Sequence, residues 1–394
     1  MADETLEIGV VIAGAGARGA YEAGLLSHLL PEIAARTQAQ GKVARFWFVG
    51  TSAGSLNSVL IASRAPRATA EHSPSEVGEL WAATMGEVAE VWGSVSEGQV
   101  IRPLPNGRLL AALTRLLPAG RQRLTSLLNT DPLRDLAADP AIVDWDQLHR
   151  NVTGGTVGAV GAATTARDGR TVVFLHRHDD AAALPRDDRR DIDYADCPDG
   201  IRAQHVLASS AIPVAFPPEP IMQPQEWAGW YYDGGVRLNT PLKPAIKLGL
   251  RHLVIVGTHP DRYDRDERPV PGRPCPEVDE AMVPVANQIM ADQLIQDLQT
   301  LRSRNRVQPR KATKYVFAGP ATFDALADLA RNTPTHWTFA GQLRRLLSDE
   351  SRDELSSYLL FDPGYLSASV EAGRIRAREA AVLGSDDAEV DWLR

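Results

Sequence analysis

The chain has 394 residues, enough for one large α/β domain with insertions or for two ordinary domains. Hydrophobic residues at 44% and charged residues at 23% are ordinary for a globular protein in water, and a net charge of −8 leaves no basic stripe to neutralise phosphates, which argues against nucleic acid as the main partner. The two cysteines, Cys197 and Cys275, are too few for a disulfide framework and lack metal-ligand spacing, which suits a reducing cytosol.

The opening stretch MADETLEIGVVIAG is acidic and carries no positive leader before its apolar run, so it does not read as a signal peptide. Apolar runs are short throughout and broken by charge. None is long enough to span a bilayer, so the expectation is a cytoplasmic protein that meets any membrane from its surface. Residues 7–13 (EIGVVIA) predict a buried parallel strand. A glycine-rich loop follows from Gly14 to Gly19, and then AYEAGLLSHLLPEIAAR with apolar residues at helical spacing. FWFVG at 46–50 predicts a second strand, which runs straight into the helical pattern of TSAGSLNSVLIASR. Two strand–glycine loop–helix units in a row predict a mainly parallel central sheet with helices on its faces, a three-layer α/β/α fold.

From about 66 to 150 helical patterns predominate, interrupted by Pro103, Pro105 and Pro118 and carrying Trp81 and Trp92. This reads as a helical insertion. Trp81, Met85, Val88 and Trp92 at helical spacing either form a cap that shapes a pocket or simply pack the insertion onto the sheet. TVGAVGAATTA and TVVFLH flank Asp168-Gly169 and predict a hairpin or neighbouring strands. A charged loop fills 178–191, residues 201–210 suit a helix, and Pro213, Pro217 and Pro218 force extended or turn structure. WYYDGGV and HLVIVGTHP predict further strands, with LKPAIKLG as a helix between them. A Pro/Arg-rich linker spans 260–276, and apolar residues recur at helical spacing over 280–305. The division expected is a catalytic domain over 1–260, then a linker and helical extension over 261–394, packed on the core.

Gly50-Thr51-Ser52-Ala53-Gly54 matches Gly-x-Ser-x-Gly between a strand and a helix, the nucleophile-elbow pattern in which a serine hydroxyl is presented at the carboxyl edge of a sheet. The plainer reading is a helix N-cap flanked by packing glycines. Gly14, Gly16 and Gly19 satisfy G-x-G-x-x-G after a strand, the dinucleotide fingerprint. That fingerprint also demands an acid at the end of the second strand, where this chain has Gly-Thr-Ser. The better reading is an oxyanion loop whose amides face Ser52. Asp233-Gly234-Gly235 follows a strand-like run; Asp-Gly is equally a common hairpin turn.

In combination these segments resemble the patatin-like phospholipase family at separated, ordered places. GAGARG (14–19) resembles its glycine-rich oxyanion motif with a basic residue, here Arg18. GTSAG (50–54) is similar to its serine elbow, ASSAIPVAFPP (208–218) to the segment lining its active site, and DGGVRLNTPLKPAIKLG (233–249) to the block with its catalytic aspartate, Asn239 and Pro241. The resemblance covers roughly 7–65 and 150–258. It implies a serine–aspartate dyad: Ser52 attacks a fatty-acyl ester of a (lyso)phospholipid or related lipid and Asp233 takes its proton. Gly14, Ala15, Gly16, Ala17, Arg18 and Gly19, with Ala53, would bind the oxyanion and substrate, and no metal or organic cofactor is required. The family's run of three glycines is broken here by Ala15, so Ala15 is expected to keep an ordinary backbone conformation while Gly16 makes the closest approach. Two enzyme alternatives and one non-enzymatic one remain at this point: an α/β-hydrolase triad with a late histidine (His252, His259 or His336, of which His259 follows a strand), a dinucleotide-binding protein, and a binding scaffold with a relic elbow.

Overall fold

The computed structural model describes residues 4–103, 125–180, 183–185, 191–263, 272, 275–334, 339–349 and 351–379. The runs read as buried strands pair as expected. β1 (Thr5–Ile12) lies parallel to β2 (Val43–Thr51), with Ile12 opposite Gly50, so both strands end at the same edge of the sheet. Each passes directly into a helix on that edge, α1 (Gly19–Ala39) after the glycine loop and α2 (Ala53–Arg64) after Ser52.

The insertion begins with α3 (Pro74–Ser94), whose start is fixed by a capping box. Ser73 Oγ accepts from the Glu76 amide, and the Glu76 carboxylate accepts from the Ser73 amide. Short helices follow at Asp131–Ala138 and Trp145–Thr153. The insertion is not purely helical, because β3 (Arg102–Pro103) and β4 (Leu128–Asn129) form a two-residue antiparallel ladder. Pro105 and Pro118 lie outside the described residues.

β5 (Ala159–Ala166) and β6 (Thr171–Arg177) form the hairpin expected around Asp168-Gly169, with Gly169 at φ 87°. Next come β7 (Ile192–Asp196), β8 (Glu219–Ile221), β9 (Gly229–Asp233), β10 (His252–Val256) and β11 (Lys314–Ala318). The sheet runs β11-β10-β1-β2-β5-β6-β7, with β9 paired antiparallel to β5 and to β8. The C-terminal extension, expected from sequence as helical, also holds a strand: Lys314–Ala318 extends the central sheet in parallel beside β10. Its Tyr315, Val316 and Ala318 are buried, and without them the edge of β10 would be open.

Alternation along the strands divides the core into two layers. Ile8, Val10, Ile12, Phe46 and Phe48 face α1, α2 and α3. Val11, Trp47 and Ile255 face the other way, onto Leu242 and Ala245 of the helix Leu242–Lys247 and onto Leu294, Leu298 and Leu301 of the helix Gln293–Val307. This is the three-layer α/β/α arrangement with a mostly parallel sheet. The helix Pro363–Glu379 packs against α1 so closely that a side-chain carbon on Gly24 would meet the Val370 carbonyl at 2.1 Å. Of the insertion tryptophans, Trp81 is core: it is 2% exposed and meets Phe46 edge to face at 4.9 Å. Trp81→Ala should lower unfolding free energy by about 3–5 kcal/mol. In urea titrations this appears as a lower midpoint with an unchanged slope.

Candidate active site

Register brings three separated sequence blocks to one place. Thr51 at the end of β2 pairs with Ala163 of β5, and the next residue of β5, Thr164, pairs with Asp233 at the end of β9. On the other side, Ile12 at the end of β1 lies opposite both Gly50 and Val256. The glycine loop, Ser52 and Asp233 thus share the carboxyl edge of the parallel strands, where open α/β sheets hold their ligands.

Ser52 sits at φ 51° and ψ −123°, left-handed backbone that a non-glycine residue rarely occupies. Its neighbours enforce the turn. A Cβ on Gly50 would lie 2.1 Å from the Gly54 carbonyl oxygen, and one on Gly54 would lie 2.4 Å from the carbonyl oxygens of both Ile12 and Ala13. The Ser52 amide donates to Ser209 Oγ at 2.9 Å, and Ser209 in turn donates to the Ala163 carbonyl at 2.6 Å. Ser209 was not singled out from sequence, although it stands within the segment 208–218. Its hydroxyl could be recognised as a clamp only once the helix Ala203–Ser209 was placed against β5.

Asp233 is 5% exposed, and its strand ends there: the chain enters the helix Gly235–Leu238, so Asp233-Gly234 is no hairpin turn. The Gly235 amide donates to Asp233 Oδ1 at 2.6 Å, and Gly234 lies against the Ala163 carbonyl. Burial pushes the Asp233 carboxyl up to about 7, against the opposing pull of the Gly235 amide and of the Ser52 side chain.

In the glycine loop Ala15 has φ −146° and Gly16 φ 54°, so alanine is tolerated where the family has glycine and the left-handed step falls on Gly16. The Gly14 amide is taken by the Asn239 carbonyl at 2.9 Å and the Ala17 amide by the Tyr358 carbonyl at 2.9 Å. Among the described residues, the amides of Ala15, Gly16 and Ala53 have no protein acceptor. Gly16, Ser52 and Ala53 line one cavity. Its walls are apolar and come from α2 (Leu56, Leu60), from the insertion (Trp92, Val100, Leu133) and from Phe216. The insertion therefore both packs the core, through Trp81, and walls the cavity, through Trp92.

One sequence expectation is corrected here, and two of the alternative readings do not fit. Arg18 was expected beside the substrate. Instead it is fully buried and turned to the C-terminal segment, with Nη2 on Glu354 Oε2 at 2.7 Å and Nε donating to Ser357 Oγ at 2.9 Å. A buried guanidinium needs a counter-charge, and Glu354 supplies it. Gly19, at the start of α1, is packed against Ala53 and the Trp92 ring, which is not the open helix N-terminus a dinucleotide site requires. His259 is buried, with Nε2 hydrogen-bonded to Tyr358 Oη at 3.0 Å and its pKa pushed down to about 3 by burial and by Arg18. So weak a base, occupied with tyrosine, does not fit the triad alternative. His252 is half-buried on β10, and His336 lies outside the described residues.

A strained serine at the carboxyl edge of a parallel sheet, opening on an apolar cavity, belongs to the class of acyl-transfer hydrolases. The chain belongs to the patatin-like phospholipase family, which matches residues 10–246 and is a family of lipid acyl hydrolases. Comparison with curated proteins found no match. The matched region runs through the insertion and stops before β10, so two strands of the sheet and the partners of Arg18 lie beyond it.

The raised Asp233 value has a thermodynamic consequence. The native state keeps a proton that the unfolded chain releases, so this group's contribution to stability is complete below the unfolded value of 3.8 and is lost as pH rises through about 7. Asp233→Asn removes that titration. Its melting temperature should exceed wild type at pH 8, with the gap closing toward pH 4, by calorimetry. An equal offset at both pH values would contradict the shift.

Proposed function

We propose that the protein hydrolyses fatty-acyl esters of phospholipids, lysophospholipids or related lipids through a Ser52–Asp233 dyad. The observation that carries this reading is a strained serine and a buried carboxyl, lifted to about 7, brought to the same sheet edge through adjacent residues of β5, with the serine on the wall of an apolar cavity. An aspartate of ordinary acidity would be too weak a base; one lifted toward neutrality can take a hydroxyl proton without an imidazole. Asp233 accepts the proton as Ser52 Oγ attacks the ester carbonyl carbon. The tetrahedral oxyanion is received by the unengaged amides of Ala15, Gly16 and Ala53, and α2 directs its N-terminus at the same charge. The protonated Asp233 returns its proton to the leaving alcohol. Water then adds to the acyl-enzyme with Asp233 again as base, releasing the fatty acid and Ser52. The cavity holds the acyl chain.

Ser52→Ala should abolish fluorophosphonate labelling and lower ester turnover by roughly a thousandfold or more. Asp233→Asn should lose nearly as much. Because the base must be ionised, wild-type turnover should climb as pH passes through about 7 and level off above it. An Asp233→Asn enzyme of near-normal activity would sink the dyad.

Contact with a membrane surface is part of this reading. Among the described residues no helix is long and apolar enough to cross a membrane. Leu127, Val214, Trp230 and Val236 are exposed, and Leu127, Val214, Tyr232 and Val236 surround one open depression beside the Asp233 turn. Val214 is held at φ 71°, costly for a β-branched residue, and lies between Ile212 and Phe216 of the cavity wall. Trp230 and Tyr232 share a face of β9, and such rings suit the boundary between water and lipid. The occupant that fits is the surface of the lipid aggregate from which the substrate is drawn. Val236→Glu and Trp230→Ala should weaken binding to phosphatidylcholine vesicles and slow their hydrolysis, leaving turnover of a soluble short-chain ester nearly unchanged. Parallel loss on both substrates, or on neither, would count against the surface.

A further inference from the structure

The segment Ser351–Phe361 lies far outside the family match, yet it touches the glycine loop at Gly16, Ala17 and Arg18. The Tyr358 carbonyl accepts the Ala17 amide at 2.9 Å. The same oxygen lies where a Cβ on Gly16 would be, at 2.3 Å, so Gly16 is required by the C-terminal segment as well as by its own φ of 54°. Arg18, the residue after Ala17, is bound by Glu354 Oε2 at 2.7 Å, by the Glu354 carbonyl at 3.3 Å and by Ser357 Oγ. Its guanidinium stacks 4.0 Å from the Tyr358 ring centre while Nη1 donates to the Tyr358 hydroxyl at 3.0 Å. That hydroxyl also meets His259 Nε2 at 3.0 Å, tying the loop to the end of β10.

The segment is itself anchored. Asp353 binds Arg344 at 2.6 Å and Arg331 at 2.8 Å, and Ser351 together with the Ser348 amide binds Asp279. Beyond Tyr358 the chain turns into the cavity, where Tyr358, Leu359 and Phe361 join Gly16 and Ser52 as wall residues. The segment therefore grips the donor loop from outside and closes the acyl cavity from inside.

We propose that Ser351–Phe361 is a working part of the active site: Glu354 and Tyr358 are positioning residues that hold the Ala15 and Gly16 amides through Arg18 and Ala17, and Leu359 and Phe361 select acyl-chain length. The proposal rests on the reading of Ser52 as nucleophile. It makes the catalytic unit extend beyond residue 260, so that the first 260 residues do not form a complete site.

The test uses the full chain, a homologous series of soluble p-nitrophenyl esters, and a fluorophosphonate probe to count active sites. Wild type is labelled first; failure of Ser52 to label would overturn the dyad reading itself and be distinguishable from failure here. Tyr358→Phe keeps the ring and the backbone carbonyl and removes only the hydroxyl. The expected result is a fall of about tenfold in kcat per labelled site and in labelling rate, with KM and melting temperature little changed, since loosening a catalytic group by a fraction of an ångström acts on the transition state. A merely structural residue would reduce the number of labelled sites and leave kcat per site intact, and that result overturns the positioning role. Should Tyr358→Phe not fold, Glu354→Asp, which keeps the charge and shortens its reach, takes the same measurements. Phe361→Ala and Leu359→Ala should shift kcat/KM toward longer acyl chains. An unchanged chain-length order in the folded variants overturns the selectivity role.

Discussion

Ser52 keeps a backbone conformation, φ 51° and ψ −123°, that an isolated serine would leave at once, and most of the site can be understood as what prevents it from leaving. β2 delivers it at the sheet edge in register with Ile12 and Ala162 at Gly50. Gly54 lets α2 close to within contact of the Ile12 and Ala13 carbonyls, and the Ser209 hydroxyl takes the Ser52 amide. The strain is held by a sheet, a helix and a buried hydroxyl, none of which can relax independently. The reward is a side chain that projects beyond the sheet, toward both a carboxyl group and a cavity.

The same packing sets the electrostatics. Asp233 stands where β9 ends against β5, buried among backbone rather than water, and its carboxyl is lifted to about 7 for that reason. A fully solvated aspartate would be a weaker base and a more stable one. Destabilising the ionised form is how a carboxylate alone could accept a hydroxyl proton near neutrality in the proposed mechanism.

Arg18 and Glu354 show a second use of burial. They lie 336 residues apart in sequence, with the arginine fully buried and the glutamate nearly so. Removing either would strand a charge, so the pair fixes the C-terminal segment onto the glycine loop more firmly than apolar contact alone would. The loop's glycines thus answer to different parts of the chain: Gly14 lies against Asn239 and Ser52, and Gly16 lies against Tyr358.

The sequence by itself determined a good deal. Short β-branched runs ending in glycine loops favour buried parallel strands feeding helices, so the α/β/α class, β1, β2, the β5–β6 pair and a candidate elbow at Ser52 were legible locally. Ordered motifs carried the family and singled out Asp233, because local patterns survive in a linear string. Lys314–Ala318 looked like part of a charged helical tail; its strand exists because β10 offers an open edge, a condition no local window contains. Arg18 read as a substrate-facing cation for the same reason: which way a guanidinium turns depends on where its counter-charge lies, and Glu354 comes near it only after the chain has folded back. Ser209, Tyr358 and the lift of Asp233 were decided by tertiary structure alone, since hydrogen bonds across distant segments and the loss of water around a carboxyl are properties of packing, not of sequence spacing.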